Sequence, residues 1–435
     1  MKQSALCSMI TPLVATAIGL AFLTGSAAAQ SETVLFRFAV SSDSGNPSSG
    51  LISDRHGNFY GTTNLVNGAV YELSPPTQNG PWTESVLYFF QGGSDGYSPS
   101  SNRLAMDAKG NLYGSNAFGG IVNSTTCSQG CGTVYELSPP AETGNPWVET
   151  ILYSFPGGTG GTFPVGVTLA PNGWLIVPVE SGTGSAKNGF VLALEPPAIS
   201  GDPWSKHLVY EFQGGSDGSG PNSSFLIDKN LNLYSTTQAG GSSNCTEGGC
   251  GTVYELTPSD GGSHWTKTTL YDFQGPPNDG AIPTHGLLFD DSGNLYGTTF
   301  VGGPTNFGTA FQLAPPARVG SPWTETVLHS FGVSPDGIYP SGVAIDPAGN
   351  LYGGTDEGGS GLFSGGIFYE LSPPSESGGA WTETVLHNFP SSTNDGDGLS
   401  SPPLFRGGAL YGTTAYGGNT RACSPGCGTV YAIRP

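Results

Sequence analysis

Ten carboxylates recur in register along this chain of 435 residues. Asp95, Asp217, Asp279, Asp336 and Asp395 stand beside glycine in Gly/Asp/Pro-rich turns, and Asp54, Asp107, Asp228, Asp290 and Asp346 each close a short apolar run. Carboxylates beside glycine can chelate calcium, but that chemistry calls for a dense Asp-x-Asp-x-Asp-Gly loop with a downstream Glu. No such loop occurs here, so these side chains are expected to accept hydrogen bonds from the backbone N–H groups of their own turns. Neither a metal site nor a cofactor is expected.

Other reactive side chains are few. The pattern Gly-x-Ser-x-Gly occurs at Gly92–Gly96 and Gly214–Gly218. A nucleophile elbow needs a strand before it and a helix after it, whereas this is a repeated turn before a strand. The six histidines are scattered, and His329 and His387 replace a tyrosine in an otherwise constant strand pattern. Only His285, together with Arg103, is placed to face a central channel, and these two join the five turn aspartates as candidate binding residues. Six of the seven cysteines form three local pairs, Cys127/Cys131, Cys245/Cys250 and Cys423/Cys427, while Cys7 lies in an apolar leader. Such pairs in an exported chain predict disulfides within single loops. Zinc is the alternative, but no histidine accompanies any pair.

The elements that must hold these residues come from a phrase repeated about every 58 residues, Gly293-Asn294-Leu295-Tyr296-Gly297-Thr298-Thr299 and its variants. The aromatic position falls at 60, 113, 234, 296, 352 and 411, with a worn copy, Gly173-Trp174-Leu175-Ile176, filling the gap. Each copy reads as four short strands. A Thr-Val-Leu-Tyr run such as 323–331 is followed by an Asp-Gly turn, an apolar strand ending in Asp, the Asn-Leu-Tyr strand, and a Gly-Thr-Val-Tyr-Glu-Leu strand leading into Ser-Pro-Pro. No apolar period of 3.6 persists, so the class is all-β, and seven four-stranded units predict a seven-bladed β-propeller. A parallel β-helix would need shorter coils, and a sandwich would not explain seven equal units. The chain begins at the last strand of a copy and ends after the third, so strand 33–38 is predicted to pair with strand 428–433 and close the ring. Six tryptophans (Trp82, Trp147, Trp204, Trp265, Trp323, Trp381) share one repeat position and are expected to pack blade against blade.

The opening Met1-Lys2-Gln3, an apolar run from Leu13 to Leu23 and Ala27-Ala28-Ala29 have the order of a secretory signal peptide. The expected organisation is therefore a leader at 1–29 and one propeller domain at 30–435. The protein is expected to be secreted, whether extracellular, at the cell surface or periplasmic, without a membrane span and as a monomer. A formal charge of -20 repels nucleic acid and anionic membrane.

The ordered motifs Thr-Val-Leu-Tyr-Ser-Phe, Asp-Gly, Gly-Asn-Leu-Tyr-Gly-Thr-Thr, Gly-Gly and Gly-Thr-Val-Tyr-Glu-Leu-Ser-Pro-Pro resemble the GloVer tandem repeat of bacterial exported proteins. The resemblance covers nearly all of residues 31–435 and supplies no catalytic residues. Function must then reside where the copies differ, at 116–131, 181–188, 238–250, 355–365 and 415–427, which belong to one face of the disc. These loops are rich in Gly, Ser, Asn and Thr, and a binding module for an unknown ligand, a neutral glycan or another exported protein, is favoured. The alternative is a propeller enzyme, a lyase or hydrolase of a polysaccharide or small molecule.

Overall fold

The computed structural model describes residues 32–435 except 40–44, 79, 124, 143, 200, 247, 319, 361–364, 377, 391–394, 419–422, 424 and 425, together with the side chains of 185 and 186. The expected leader lies outside the described residues, as do parts of the variable segments 355–365 and 415–427.

Seven antiparallel sheets form the blades of a propeller, each with four strand positions, the innermost of which is split into two short pieces in blades 2 to 5. Blade 1 runs outward through Ile52–Ser53, Phe59–Thr63, Ala69–Ser74 and Thr83–Phe89. Blades 2 to 6 repeat this order, with second strands at Leu112–Phe118, Leu175–Ser181, Leu233–Ala239, Leu295–Gly302 and Leu351–Gly358. Blade 7 takes Leu404–Arg406, Ala409–Thr414 and Thr429–Ile433 from the end of the chain and its outer strand, Glu32–Arg37, from the beginning. Glu32 lies opposite Ile433 and Arg37 opposite Thr429. Closure of this kind completes blade 7, so the ring keeps only the short edges of its blades.

The repeated phrase owes its constancy to one hydrogen-bond network. Asp290 Oδ1 accepts from the backbone N–H of Ser292 and Asn294, both at 2.9 Å. Its Oδ2 accepts from Asn294 Nδ2 at 2.7 Å and from the Tyr296 hydroxyl at 3.1 Å. The same set recurs at Asp54, Asp107, Asp228 and Asp346. The glycine after Tyr is equally constrained, because a Cβ at Gly114, Gly353 or Gly412 would collide with the hydroxyl of Tyr135, Tyr369 or Tyr431 on the next strand.

Apolar burial concentrates at the junctions between blades rather than at blade centres. Each of the seven buried clusters draws on two neighbouring blades. The phenylalanine that ends an outer strand inserts against the third strand of the following blade. Phe38 meets Tyr71, Phe90 meets Tyr135 and Phe212 meets Tyr254, with ring centroids 5.0 to 5.2 Å apart. The six repeat tryptophans sit in six different junction clusters, as a role in packing requires. The three disulfides form within their own loops with Cα atoms 5.1 to 5.2 Å apart. They are more than braces at loop tips, since Cys131, Cys250 and Cys427 are fully buried in junction clusters. Among the described residues no helix is long and apolar enough to cross a membrane.

Candidate functional site

The inner strands surround a central cavity of about 880 Å³. Each inner strand runs from the face of the variable loops towards the tight turn into its second strand, so the order of residues along it maps depth in the channel. The later positions are mostly apolar, with Ile52, Ala105, Leu226, Leu288, Ala344 and Leu404 forming a ring near one face. The earlier positions are polar, with Asn102, Arg103, Asn222, Ser224, Thr284 and His285 lying towards the face of the variable loops.

Arg103 occupies a register position that is glycine in four copies, Gly50, Gly166, Gly286 and Gly342. Its stem crosses Gly50, where a Cβ would come within 2.8 Å of Nε. The guanidinium reaches blade 7, with Nη2 donating to the carbonyls of Pro402 at 2.9 Å and Pro403 at 2.7 Å. Burial lowers its pKa to about 10, which leaves it charged at neutral pH. Its Nε is buried and has no hydrogen-bond partner within the protein, and the same holds for Asn222 Oδ1 and Ser224 Oγ in the same cavity. His285 Nδ1 lies 2.7 Å from Thr284 Oγ1. Burial pushes the imidazole down to about 4, so it is neutral at physiological pH. Arg103 and His285 are the titratable side chains of the cavity lining, and the lining can donate and accept hydrogen bonds around a polar ligand.

The five turn aspartates lie elsewhere, at the outer rim between blades. Asp95 Oδ1 accepts from the Tyr88 hydroxyl at 2.9 Å, and its Oδ2 accepts from the Gln91 backbone N–H. Asp217 and Asp279 are held in the same way by Tyr210 and Tyr271. Across each junction stands a residue from the outer strand of the following blade. Where this is glutamate, burial first and the nearby aspartate second raise its pKa, to about 7 for Glu149 beside Asp95 and about 8 for Glu325 beside Asp279. Asp217 faces Lys267 instead, at 3.2 Å. Asp336 and Asp395 meet the histidines that replace tyrosine, His329 at 3.2 Å and His387 at 3.0 Å. With Glu383 and Glu32 they form two His-Asp-Glu groups whose ligand atoms lie within 4.8 Å of one another. Such a group can share a proton or hold a divalent cation. The exchange of Tyr for His opposite a register glutamate was the sequence signal for these groups. Asn222 and Ser224 carried no comparable signal, being ordinary residues of a Ser/Asn-rich turn.

Among curated proteins no match was found. Solved structures share the fold at low identity. PorZ, a bacterial surface component of the type-IX secretion system of Porphyromonas gingivalis, is 13% identical with a TM-score of 0.51. The match covers 91% of this chain and 48% of that one, so the chain spans about half the length of PorZ. A luciferin-regenerating enzyme is 15% identical with a TM-score of 0.44, covering 79% of this chain and 92% of that one. A gluconolactonase from Xanthomonas campestris is 15% identical with a TM-score of 0.40, covering 90% and 98%. Residues 120–331 match the family described as the Gloeobacter/Verrucomicrobia repeat, the repeat family that the sequence motifs resemble.

Proposed function

We propose that this protein is an exported ligand-binding propeller that takes a small polyhydroxylated molecule, such as a saccharide unit, into the polar half of its channel without making or breaking bonds in it. The observation that carries this reading is that Arg103, Asn222 and Ser224 line one cavity and each holds a polar atom, Nε, Oδ1 and Oγ, that is buried and unpartnered within the protein. A buried polar group without a partner costs about 1–3 kcal/mol, and a ligand offering hydroxyl groups would offset that cost wherever a side-chain rotation turns one of these atoms into the cavity. The apolar ring beyond them suits the C–H faces of a sugar, matching the usual mix of apolar lining and few directed polar groups in small-molecule sites. The described residues of the variable segments 238–250 and 415–427 stand ahead of the third strands of their blades, and these segments would select among ligands. Three intraloop disulfides fit an oxidising, exported setting.

The test is a saccharide panel titrated calorimetrically against the protein and against an Asn222→Ala/Ser224→Ala variant. Removing two unpartnered groups should leave the melting temperature unchanged or raised while abolishing binding of whichever saccharide the protein takes. If that variant binds normally, and grafting the short loop Asn64–Asn67 in place of 238–250 abolishes binding, the site belongs to the variable loops. Turnover of a bound saccharide would favour the enzyme reading.

A further inference from the structure

A second cavity, of about 300 Å³, opens on the opposite face at the junction of blades 3 and 4. Its lining includes Trp174, Trp265, Ile176, Ile227, Leu231 and Asp260. Three departures from the repeat meet here. Trp174 stands where five copies have asparagine (58, 111, 232, 294 and 350), so the worn copy exchanges its turn network for an indole. Leu231 stands where every other copy has glycine, and it keeps the left-handed backbone of that glycine at φ 66° while leaving its side chain 38% exposed. A bulky residue is rarely found there, and such strain persists where something else selects it. The third departure is the link between the third and outer strands of blade 4. It loses the second proline of Pro-Pro at Ser259 and becomes the tight turn Asp260–Gly262 between strands Thr252–Ser259 and His264–Asp272.

Both indoles are braced. Trp174 stacks on His207 with centroids 5.0 Å apart and planes at 15°, and His207 Nε2 lies 2.9 Å from Glu195 Oε2. The Trp265 Nε1–H donates to the Gly262 carbonyl at 3.0 Å, so its hydrogen-bonding capacity is used within the protein. Apart from Asn172 and the turn 259–262, the lining is aliphatic or aromatic. Asp260 is its one charged side chain, exposed and 3.3 Å from the equally exposed His264.

We propose that this pocket binds an organic cation with an apolar body, of the alkyl- or arylammonium class. Indole is the aromatic surface that holds an ammonium best, Asp260 supplies a carboxylate at the rim, and the aliphatic walls take the body of the ligand. A chain of formal charge -20 also draws cations to its surface. The lining is too apolar to satisfy the hydroxyl groups of a sugar, which separates this pocket from the channel.

The probe is benzyltrimethylammonium, titrated by tryptophan fluorescence and calorimetry, with benzyl alcohol and methyl β-glucoside as neutral controls. Binding of the cation in preference to both controls is expected. Trp174→Asn and Leu231→Gly restore the residues of the repeat, and each should weaken binding about tenfold or more. Leu231→Gly should also leave the melting temperature unchanged or raised, which excludes loss of fold as the cause. Asp260→Asn should weaken the cation several-fold and leave benzyl alcohol unaffected. The Asn222→Ala/Ser224→Ala variant should bind the cation normally, so failure of the channel reading and failure of this one are distinguishable. Equal affinity in the protein and both restored variants, or preference for either neutral control, would overturn the proposal.

Discussion

The junction of blades 4 and 5 and the junction of blades 3 and 4 are built from the same elements and solve the same problems differently. Between blades 4 and 5 the repeat is obeyed, with Glu325 facing Asp279 at the outer rim and the Asp228-Asn232-Tyr234 network closing the opposite face. Between blades 3 and 4, Lys267 replaces the glutamate and pairs with Asp217, and Ala170, Trp174 and Ile176 replace the Asp, Asn and Tyr of the network. A half-buried carboxylate is neutralised by a retained proton on one side and by a buried ammonium on the other. Either solution supports packing alone, so conformity to the repeat marks framework, and the places that break it without repairing it are where ligand chemistry is to be sought.

Breaking the ion pair should have the largest effect. Lys267 is 3% exposed and lies over the rings of Phe212 and Tyr254 at 5.9 and 5.6 Å. Lys267→Met leaves Asp217 without its cation and should cost about 3 kcal/mol in denaturant unfolding. Lys267→Glu converts this junction to the chemistry of its neighbour. Its stability should recover in mild acid, where the acid pair holds a proton, and fall above neutrality; a pH-independent loss would show that the junctions are not interchangeable. A smaller effect is expected from Asp290→Ala, which removes four hydrogen bonds and should cost about 2 kcal/mol. Ala170→Asp should recover nothing, because Trp174 and Ile176 cannot complete the network.

The smallest effect concerns pH. Glu325 in the folded protein has a pKa of about 8, above its ordinary 4.5, so the native state binds more proton than the unfolded chain between those values. Stability from this group therefore falls as pH rises through that window. Glu325→Gln should raise the melting temperature at pH 8, by roughly 1–2 °C in a ring of this size, and leave it unchanged near pH 4. No difference between the two pH values would show that Glu325 titrates as an exposed carboxylate.

The architecture was legible because each blade repeats its local chemistry within one stretch of chain. The Asp-Asn-Tyr network spans seven residues, so the motif carries the whole interaction, and the complementary chain ends announced the closing pair of strands. The rim aspartates were harder to place, since Asp95 meets Glu149 only through a junction between blades, and nothing local reveals which side of a strand faces its neighbour. Arg103 and His285 stood out as rare residue types near an inner strand, and both line the channel. The pocket between blades 3 and 4 left its signal in two residues far apart, Trp174 for asparagine and Leu231 for glycine. Read singly, they look like wear in a repeat; only the fold brings them together.

The most direct measurement of where ligand binds is a methyl chemical-shift map of the protein with the tightest saccharide from the panel. Shifts should concentrate on Leu226, Leu288 and Leu404 of the channel ring, with the Asp95 and Asp279 junctions silent. Shifts confined to the loops at 238–250 or 415–427, with the ring methyls unmoved, would contradict a channel site.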